Sequence, residues 1–222
     1  MSGPPYAAVL FDCDSTLSAI EGIDELARQA GLYDQLAPLT AAAMEGTLTL
    51  EAVYRRRLDA IRPTQAAVAA LGETYIRHAV SGAGAVIAAL QGKGKRVHII
   101  SGGLRQALLP LADRLGVAAE CVHAVDVFFD AAGNYRDFDE HSPLARSGGK
   151  TVVCCRVRDA EGPVVLVGDG MTDFEVTEAG VDFIGFGGVA RRESVRSKAA
   201  RYIDDASLLP VLDCVLTTEE RG

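Results

Sequence analysis

The chain has 222 residues, enough to bury a full hydrophobic core as one domain or as one domain with a sizeable insertion. Its 30 acidic and 22 basic residues give a formal net charge of −8, which repels polyanions and argues against a nucleic-acid partner. Five cysteines, an odd number without CxxC spacing, argue against a disulfide framework or a cysteine-rich zinc site. No apolar stretch approaches a membrane span, and the amino terminus lacks a signal-sequence pattern. We therefore expect a soluble, cytoplasmic protein with no membrane partner.

Short apolar runs alternate with helical patterns along most of the chain. Strands are predicted at residues 8–11, 96–100, 121–125, 164–167, 183–186 and 201–203. Helices are predicted between most of them, at residues 83–90, 104–115, 171–179 and 193–199. Continuous apolar runs suit strands buried on both faces. The alternation predicts an α/β fold with a doubly wound, mostly parallel sheet.

Two segments depart from this alternation. From residue 17 to about residue 79 the pattern is helical and shows no convincing strand. We expect this segment, 17–79, to be a small helical cap inserted after the first strand of a catalytic core formed by residues 1–16 and 80–222. Residues 127–138, with Ala132-Gly133-Asn134 at their centre, predict a β-hairpin appended to the core.

Two aspartates, Asp12 and Asp14, follow the first predicted strand directly. Residues two apart on an extended chain face the same way, so both carboxylates would enter the crevice at the carboxyl end of the sheet. That edge is where open α/β sheets bind ligands. Taken alone the pair is weak evidence, because aspartate is common in turns after strands.

Three glycine-containing segments belong to the same predicted edge. Ser101-Gly102-Gly103 follows the second strand and would let backbone N–H groups approach a phosphate. Gly148-Gly149-Lys150 opens a helix with a cation that could neutralise phosphate charge. Residues 168–173 place Asp169 at a strand end and Asp173 one helical turn later. The alternatives are an ordinary glycine turn, a solvated lysine and an Asp-Gly turn, and the last explains Asp169 without explaining Asp173.

A magnesium site is also indicated at this edge. Magnesium takes oxygen ligands and usually binds one or two protein carboxylates together with phosphate and water. Asp12, Asp169 and the main-chain carbonyl of Asp14 could supply those ligands.

The motifs together resemble the haloacid dehalogenase superfamily and, within it, the phosphoserine phosphatase family. The matching residues are Asp12-Cys13-Asp14-Ser15-Thr16, Glu21-Gly22-Ile23-Asp24-Glu25, Ser101-Gly102-Gly103, Ser147-Gly148-Gly149-Lys150, Gly168-Asp169-Gly170-Met171-Thr172-Asp173 and Phe183-Ile184-Gly185-Phe186-Gly187-Gly188. They run in the family's order over nearly the whole chain. The resemblance implies magnesium-dependent hydrolysis of phosphoserine to serine and phosphate, as in serine biosynthesis.

The resemblance also implies roles for the residues of the core. Asp12 would attack phosphorus and form an aspartyl-phosphate, while Asp14 would protonate the leaving group and then activate water. Ser101 and the Gly102 amide would hold phosphoryl oxygens beside Lys150. Thr172 would contact the substrate phosphate. Asp173 would orient Lys150 or the metal-bound waters without binding the metal directly.

Two cap residues are candidates for substrate selection. The predicted helix 50–61 carries an inward stripe formed by Leu50, Val53, Tyr54, Leu58 and Ile61. Arg57 also falls on this stripe, whereas Arg55 and Arg56 do not. A charge on such a stripe is costly without a partner, and the family pattern implies the substrate carboxylate. Glu21 matches the family's acceptor for the substrate ammonium. Its alternative role is to stabilise the dipole of the helix that follows it.

Other functions remain compatible with the sequence. One alternative is a related phosphatase or phosphotransferase that acts on another small phosphomonoester. The other is a non-catalytic, phosphate-accepting signalling domain, whose aspartyl-phosphate must persist. Asp14 and the helical insertion favour turnover over storage.

Overall fold

The computed structural model describes residues 6–221 and contains one sheet of six parallel strands. The strands are β1 (Ala8–Phe11), β2 (Arg96–Leu104), β3 (Val122–Val125), β6 (Val164–Gly168), β7 (Asp182–Phe186) and β8 (Tyr202–Ile203). They lie side by side in the order β3-β2-β1-β6-β7-β8. Every residue of β1 and β6 is buried, as expected for apolar runs with helices surrounding the sheet. The predicted α/β fold with a mostly parallel sheet is confirmed.

The connectivity places the ligand crevice next to β1. From β1 the chain builds β2 and β3 on one side, and then returns to build β6, β7 and β8 on the other side. The direction of winding therefore reverses at β1, where a crevice opens outside the carboxyl ends of the strands. Phe11 is in register with Ile99 of β2 and with Val167 of β6. The residues that follow Phe11, Ile99 and Val167 consequently lie close together at this edge of the sheet.

Helices account for most of the remaining chain. Between β1 and β2 lie α1 (Gly22–Gln29), α2 (Tyr33–Met44), α3 (Leu50–Ile61), α4 (Gln65–Arg77) and α5 (Ala83–Gly92). Later helices are α6 (Arg105–Leu115), α7 (Gly149–Glu161), α8 (Met171–Phe174), α9 (Glu193–Arg196), α10 (Val211–Val215) and α11 (Thr218–Arg221). The helical insertion after β1 is therefore present, whereas the boundaries of the cap at residues 17 and 79 stay a prediction. None of the helices in residues 6–221 is both long enough and apolar enough to span a bilayer.

The predicted hairpin is also present, as the antiparallel pair β4 (Val127–Phe129) and β5 (Tyr135–Phe138). Three elements differ from the sequence prediction by more than two residues at one boundary. β2 continues to Leu104, so Ser101-Gly102-Gly103 lies within the strand and not after it. The predicted helix 171–179 is α-helical only to Phe174 and then becomes a 3-10 turn at Glu175–Ala179. The predicted helix 193–199 ends at Arg196.

The inserted helices pack on the core and are also tied to it by hydrogen bonds. α4 packs against α6, where a Cβ on Gly72 would come within 2.9 Å of Pro110. At the start of α3 the Leu50 amide donates to the Ser147 hydroxyl at 2.9 Å. The Ser147 amide donates in return to Glu51 at 2.9 Å. These reciprocal bonds fix α3 against the loop that leads into Lys150.

Candidate active site

Asp12 and Lys150 form the centre of the site. Asp12 follows β1, and its amide donates to the carbonyl of Val167 at 2.9 Å, which fixes its place at the sheet edge. The Lys150 Nζ lies 2.5 Å from both Asp12 Oδ1 and Asp173 Oδ1, and all three side chains are buried. Burial alone would lower the pKa of Lys150, but the two adjacent carboxylates raise it. Lys150 is therefore a permanent cation against the Asp12 carboxylate.

The start of α7 lets Lys150 reach this position. Gly149 is packed directly against the preceding turn, since a Cβ there would lie 1.8 Å from the carbonyl oxygen of Pro143. Only glycine permits such an approach of two backbones. Packing thus requires the glycine directly before Lys150, whereas Gly148 suits its position through its positive φ of 73°.

A tight turn after Asp12 gathers the next acidic groups. The amides of residues 16–18 all donate to the carbonyl of Cys13, at distances between 2.9 and 3.2 Å. Ser15 adopts a left-handed conformation with φ of 53°, which is uncommon for a residue with a side chain. Its hydroxyl donates to Glu21 Oε1 at 2.8 Å. The turn therefore brings Asp14, Ser15 and Glu21 to one wall of the site.

Asp14 is held through one of its two carboxylate oxygens. Its Oδ1 accepts a hydrogen bond from the Tyr75 hydroxyl at 2.6 Å and another from the Gly22 amide at 3.1 Å. Burial raises the pKa of Asp14, and these two hydrogen bonds oppose that shift. A raised pKa makes the protonated form of a carboxyl group more accessible near neutral pH.

The end of β2 supplies a second wall of the cavity. The pairing of β2 with β3 is irregular between Ile100 and Leu104, so the strand loosens over its two glycines. Ser101 is buried, and its Oγ accepts the Gly103 amide at 3.0 Å. The Thr172 hydroxyl is buried and finds no hydrogen-bond partner among residues 6–221. Both hydroxyl side chains line the same cavity as Lys150.

Acidic groups gather where a metal ligand set was predicted. Carboxylate oxygens of Asp12, Asp169 and Asp173 lie within 4.8 Å of one another. Burial and the repulsion between these carboxylates raise the pKa of Asp12, and burial raises the pKa of Asp169 to about 6. Such an excess of buried negative charge fits a small divalent cation, which prefers oxygen ligands. Both oxygens of Asp173 already accept hydrogen bonds, from Lys150 and from the Gly170 amide, in keeping with a supporting role.

Arg192, which the sequence analysis did not single out, connects the acidic groups. Its Nε donates to Asp169 Oδ2 at 2.8 Å, and a terminal nitrogen donates to Glu21 Oε1 at 3.1 Å. It follows the matched glycine segment at the end of β7, but nothing in the local sequence distinguishes it from Arg191. Arg191 is 68 % exposed and pairs with Asp204 instead.

Arg57 faces the cavity from α3. It lies on the buried side of the helix, as predicted, whereas Arg56 is exposed. One terminal nitrogen donates to the Thr40 hydroxyl at 3.1 Å, and this hydroxyl donates to Asp24 at 2.7 Å. Within residues 6–221 the Nε of Arg57 has no hydrogen-bond partner, although it is buried. The guanidinium is therefore a desolvated cation with unused donors.

One cavity joins the core and the inserted helices. Of the predicted site residues, it is lined by Asp12, Asp14, Glu21, Arg57, Ser101, Gly102, Lys150 and Thr172. Asp169 and Asp173 lie beside Asp12. Thr40, Tyr54 and Tyr75 also line the cavity and were not predicted as site residues. The inward stripe of α3 indicated that Tyr54 is buried, but not that its hydroxyl donates to the Gly102 carbonyl at 2.8 Å.

Comparison with known proteins identifies the class to which this fold and site belong. The sequence model of the haloacid dehalogenase-like hydrolases matches residues 9–178. The chain belongs to this family.

Two relatives and one solved structure are similar to this chain over most of its length. The chain is 36 % identical over 200 residues to the phosphoserine phosphatases of Drosophila melanogaster and Homo sapiens. The alignments cover 89 % of this chain, with 74 % of the first relative and 89 % of the second. A solved structure, a phospho-aspartyl intermediate analogue of phosphoserine phosphatase, superposes with a TM-score of 0.82 at 27 % identity and covers 96 % of this chain and all of the other.

Proposed function

We propose that this protein is a phosphoserine phosphatase that hydrolyses phosphoserine to serine and phosphate through a phosphorylated Asp12. The single observation that carries the choice of substrate is the buried guanidinium of Arg57, which lines the same cavity as Asp12 and Lys150. In a phosphate monoester that also bears a carboxylate, the phosphate would pair with Lys150 and the carboxylate with Arg57. Membership of a hydrolase family and relatives that are phosphoserine phosphatases support the same function.

The first chemical step transfers the phosphoryl group to the protein. The substrate phosphate would lie against Lys150, the Ser101 hydroxyl, the Gly102 amide and the Thr172 hydroxyl, which balance its charge. An Asp12 oxygen attacks phosphorus as the ester P–O bond breaks. Asp14 gives its proton to the departing serine oxygen, since an alkoxide is a poor leaving group.

The second step regenerates the free enzyme. Asp14, now ionised, takes a proton from a water molecule whose oxygen attacks phosphorus. The bond between phosphorus and Asp12 breaks, and inorganic phosphate is released. In this proposal residues 17–79 act as the cap that excludes bulk water during the first step.

A divalent cation completes the proposed site, and we take it to be Mg²⁺. Asp12, Asp169 and the main-chain carbonyl of Asp14 would hold it, while Asp173 keeps Lys150 in place. When bound, the cation would screen the charge of the phosphate and favour the ionised form of Asp12. The buried excess of carboxylates supports this assignment.

Two residues of the cap would bind the amino-acid part of the substrate. Arg57 would bind the carboxylate with the donors that no described residue engages. Glu21 would accept the ammonium, because both hydrogen bonds found for its carboxylate in residues 6–221 use Oε1. Oε2 is then available to the substrate.

A panel of phosphorylated metabolites tests the substrate directly. With Mg²⁺ present, we expect the highest kcat/KM for phosphoserine. Phosphoethanolamine, which lacks the carboxylate, and small sugar phosphates should be poorer by about tenfold or more, the cost of leaving a binding group unpaired. Release of inorganic phosphate is the measurement. A preference for a substrate without a carboxylate would support the alternative of a related phosphatase. Absence of any release would favour a phosphate-accepting signalling domain.

Arg192 should control the affinity for the metal. We expect Arg192→Met to raise the Mg²⁺ concentration for half-maximal activity by about 10- to 100-fold, the usual loss when a group that orients a ligand is removed. The reason is its 2.8 Å contact with Asp169. The measurement is a Mg²⁺ titration of chelator-treated protein. Arg191→Met, at the exposed neighbouring position, is the matched control and should titrate like the wild type. An unchanged midpoint in Arg192→Met would show that Arg192 does not orient Asp169 for the metal.

A further inference from the structure

Asp14 presents two chemically different oxygens to the site. Both hydrogen bonds found for its carboxylate in the described chain end on Oδ1, from Tyr75 and from Gly22. Oδ2 faces β2, since it lies 3.6 Å from the point where a Cβ on Gly103 would stand. The same point lies 3.1 Å from the Ser101 hydroxyl, so Oδ2 points toward the wall formed by the end of β2.

Tyr75 fits this contact closely. Its side chain is fully buried, and it comes from α4 in the helical insertion, 61 residues along the chain from Asp14. Its hydroxyl occupies the space that any side chain at position 22 would need, because a Cβ on Gly22 would lie 1.9 Å from it. Glycine at position 22 thus leaves room for the Tyr75 hydroxyl. The Gly22 amide donates to Asp14 Oδ1, the oxygen that also accepts from Tyr75. The phenol is therefore held beside Asp14 in a fully buried position.

We propose that Tyr75 is a positioning residue that holds Oδ1 of Asp14, so that Oδ2 alone carries the proton exchanged with substrate and water. This inference rests on the proposed function. As the ester P–O bond breaks and the bond from Asp12 to phosphorus forms, the proton on Oδ2 passes to the serine oxygen. In the second step Oδ2 takes a proton from the attacking water while phosphorus leaves Asp12.

The contact has a further consequence for the cap. Asp14 belongs to the core, whereas Tyr75 and Gly22 belong to α4 and α1 of the insertion. The acid-base group is therefore oriented only when these inserted helices are packed on the core. Proton transfer by Asp14 therefore depends on the packing of the inserted helices against the core.

Two substrates with different leaving groups distinguish a role of Tyr75 in positioning Asp14 from a role in stabilising the fold alone. Phosphoserine releases an alkoxide that needs the Asp14 proton, whereas acetyl phosphate releases acetate, which needs none. We expect Tyr75→Phe to lower kcat/KM for phosphoserine by about 10- to 100-fold, part of the usual contribution of general acid catalysis. The value for acetyl phosphate should stay within about twofold. The ratio of the two values, taken on one preparation, does not depend on the fraction of protein that is folded.

Tyr6→Phe is the matched control. Tyr6 is also a buried tyrosine whose hydroxyl donates to a carboxylate, Asp182, at 2.5 Å, but this contact lies at the opposite end of the sheet. The ratio should be unchanged in this variant. An unchanged ratio in Tyr75→Phe, through equal losses or through no loss, would overturn the inference about Tyr75 alone. A wild type that hydrolyses acetyl phosphate but not phosphoserine would overturn the proposed function and this inference with it.

Discussion

Asp12→Asn should lower phosphate release from phosphoserine by about 10⁴-fold or more, on the scale seen when a nucleophile is removed. A neutral amide cannot form the phosphoenzyme. The fold should be unaffected, because the substitution removes a buried carboxylate that lies among other carboxylates. Lys150 keeps its second partner, Asp173. We expect a thermal midpoint equal to that of the wild type or higher.

Acid quenching during turnover of ³²P-labelled phosphoserine provides the second measurement. The wild type should retain label on protein, and Asp12→Asn should retain none. Asp159→Asn, at a 73 % exposed position of α7, is the control and should behave as the wild type in both measurements. Normal turnover or normal labelling in Asp12→Asn would remove Asp12 from the mechanism.

Local sequence patterns were sufficient for most of the fold. The strand β1 was predicted to the residue, because Ala8–Phe11 is an apolar run ended by an aspartate. The helix α3 was also predicted to the residue, because its inward stripe has a clear helical period. The stripe ends early, since Ile61, the last residue of the helix, is only partly buried. The errors came where tertiary contacts decide, as in β2, which continues through two glycines that local propensity would place in a turn.

The residues of the candidate site also fall into two groups, those that local sequence patterns indicate and those that depend on tertiary contacts. Asp12, Lys150 and Asp169 stand beside strand ends and glycines, so their positions follow from elements that the sequence indicates. Tyr75 and Arg192 could not be found by that route, because each acts across a long sequence separation. Tyr75 lies on the buried side of α4, and its contact with Asp14 depends on how α4 packs on the core. Pairing of distant charged groups leaves no local periodic signal.

The substrate preference depends most on Arg57. In Arg57→Ala we expect kcat/KM for phosphoserine to fall by an amount equivalent to about 2–5 kcal/mol of transition-state stabilisation. This is the usual cost of breaking a desolvated charged pair. Two observations motivate this magnitude: the guanidinium is buried, and no residue in 6–221 bonds to its Nε. Phosphoethanolamine has no carboxylate to lose, so its kcat/KM should change little. Arg57→Lys should give an intermediate loss, since an ammonium keeps the charge but cannot bind a carboxylate through two parallel donors.

The neighbouring arginines of α3 provide matched controls for this comparison. Arg56 is exposed, and Arg56→Ala should leave kcat/KM for both substrates unchanged. Arg55 forms ion pairs with Asp59, Asp137 and Glu140 away from the cavity, so Arg55→Ala should affect both substrates equally and weakly. Equal losses for phosphoserine and phosphoethanolamine in Arg57→Ala would mean that Arg57 binds the phosphate or supports the inserted helices. No loss for either substrate would leave the preference for phosphoserine without its main residue, because no other described cation of α3 faces the cavity.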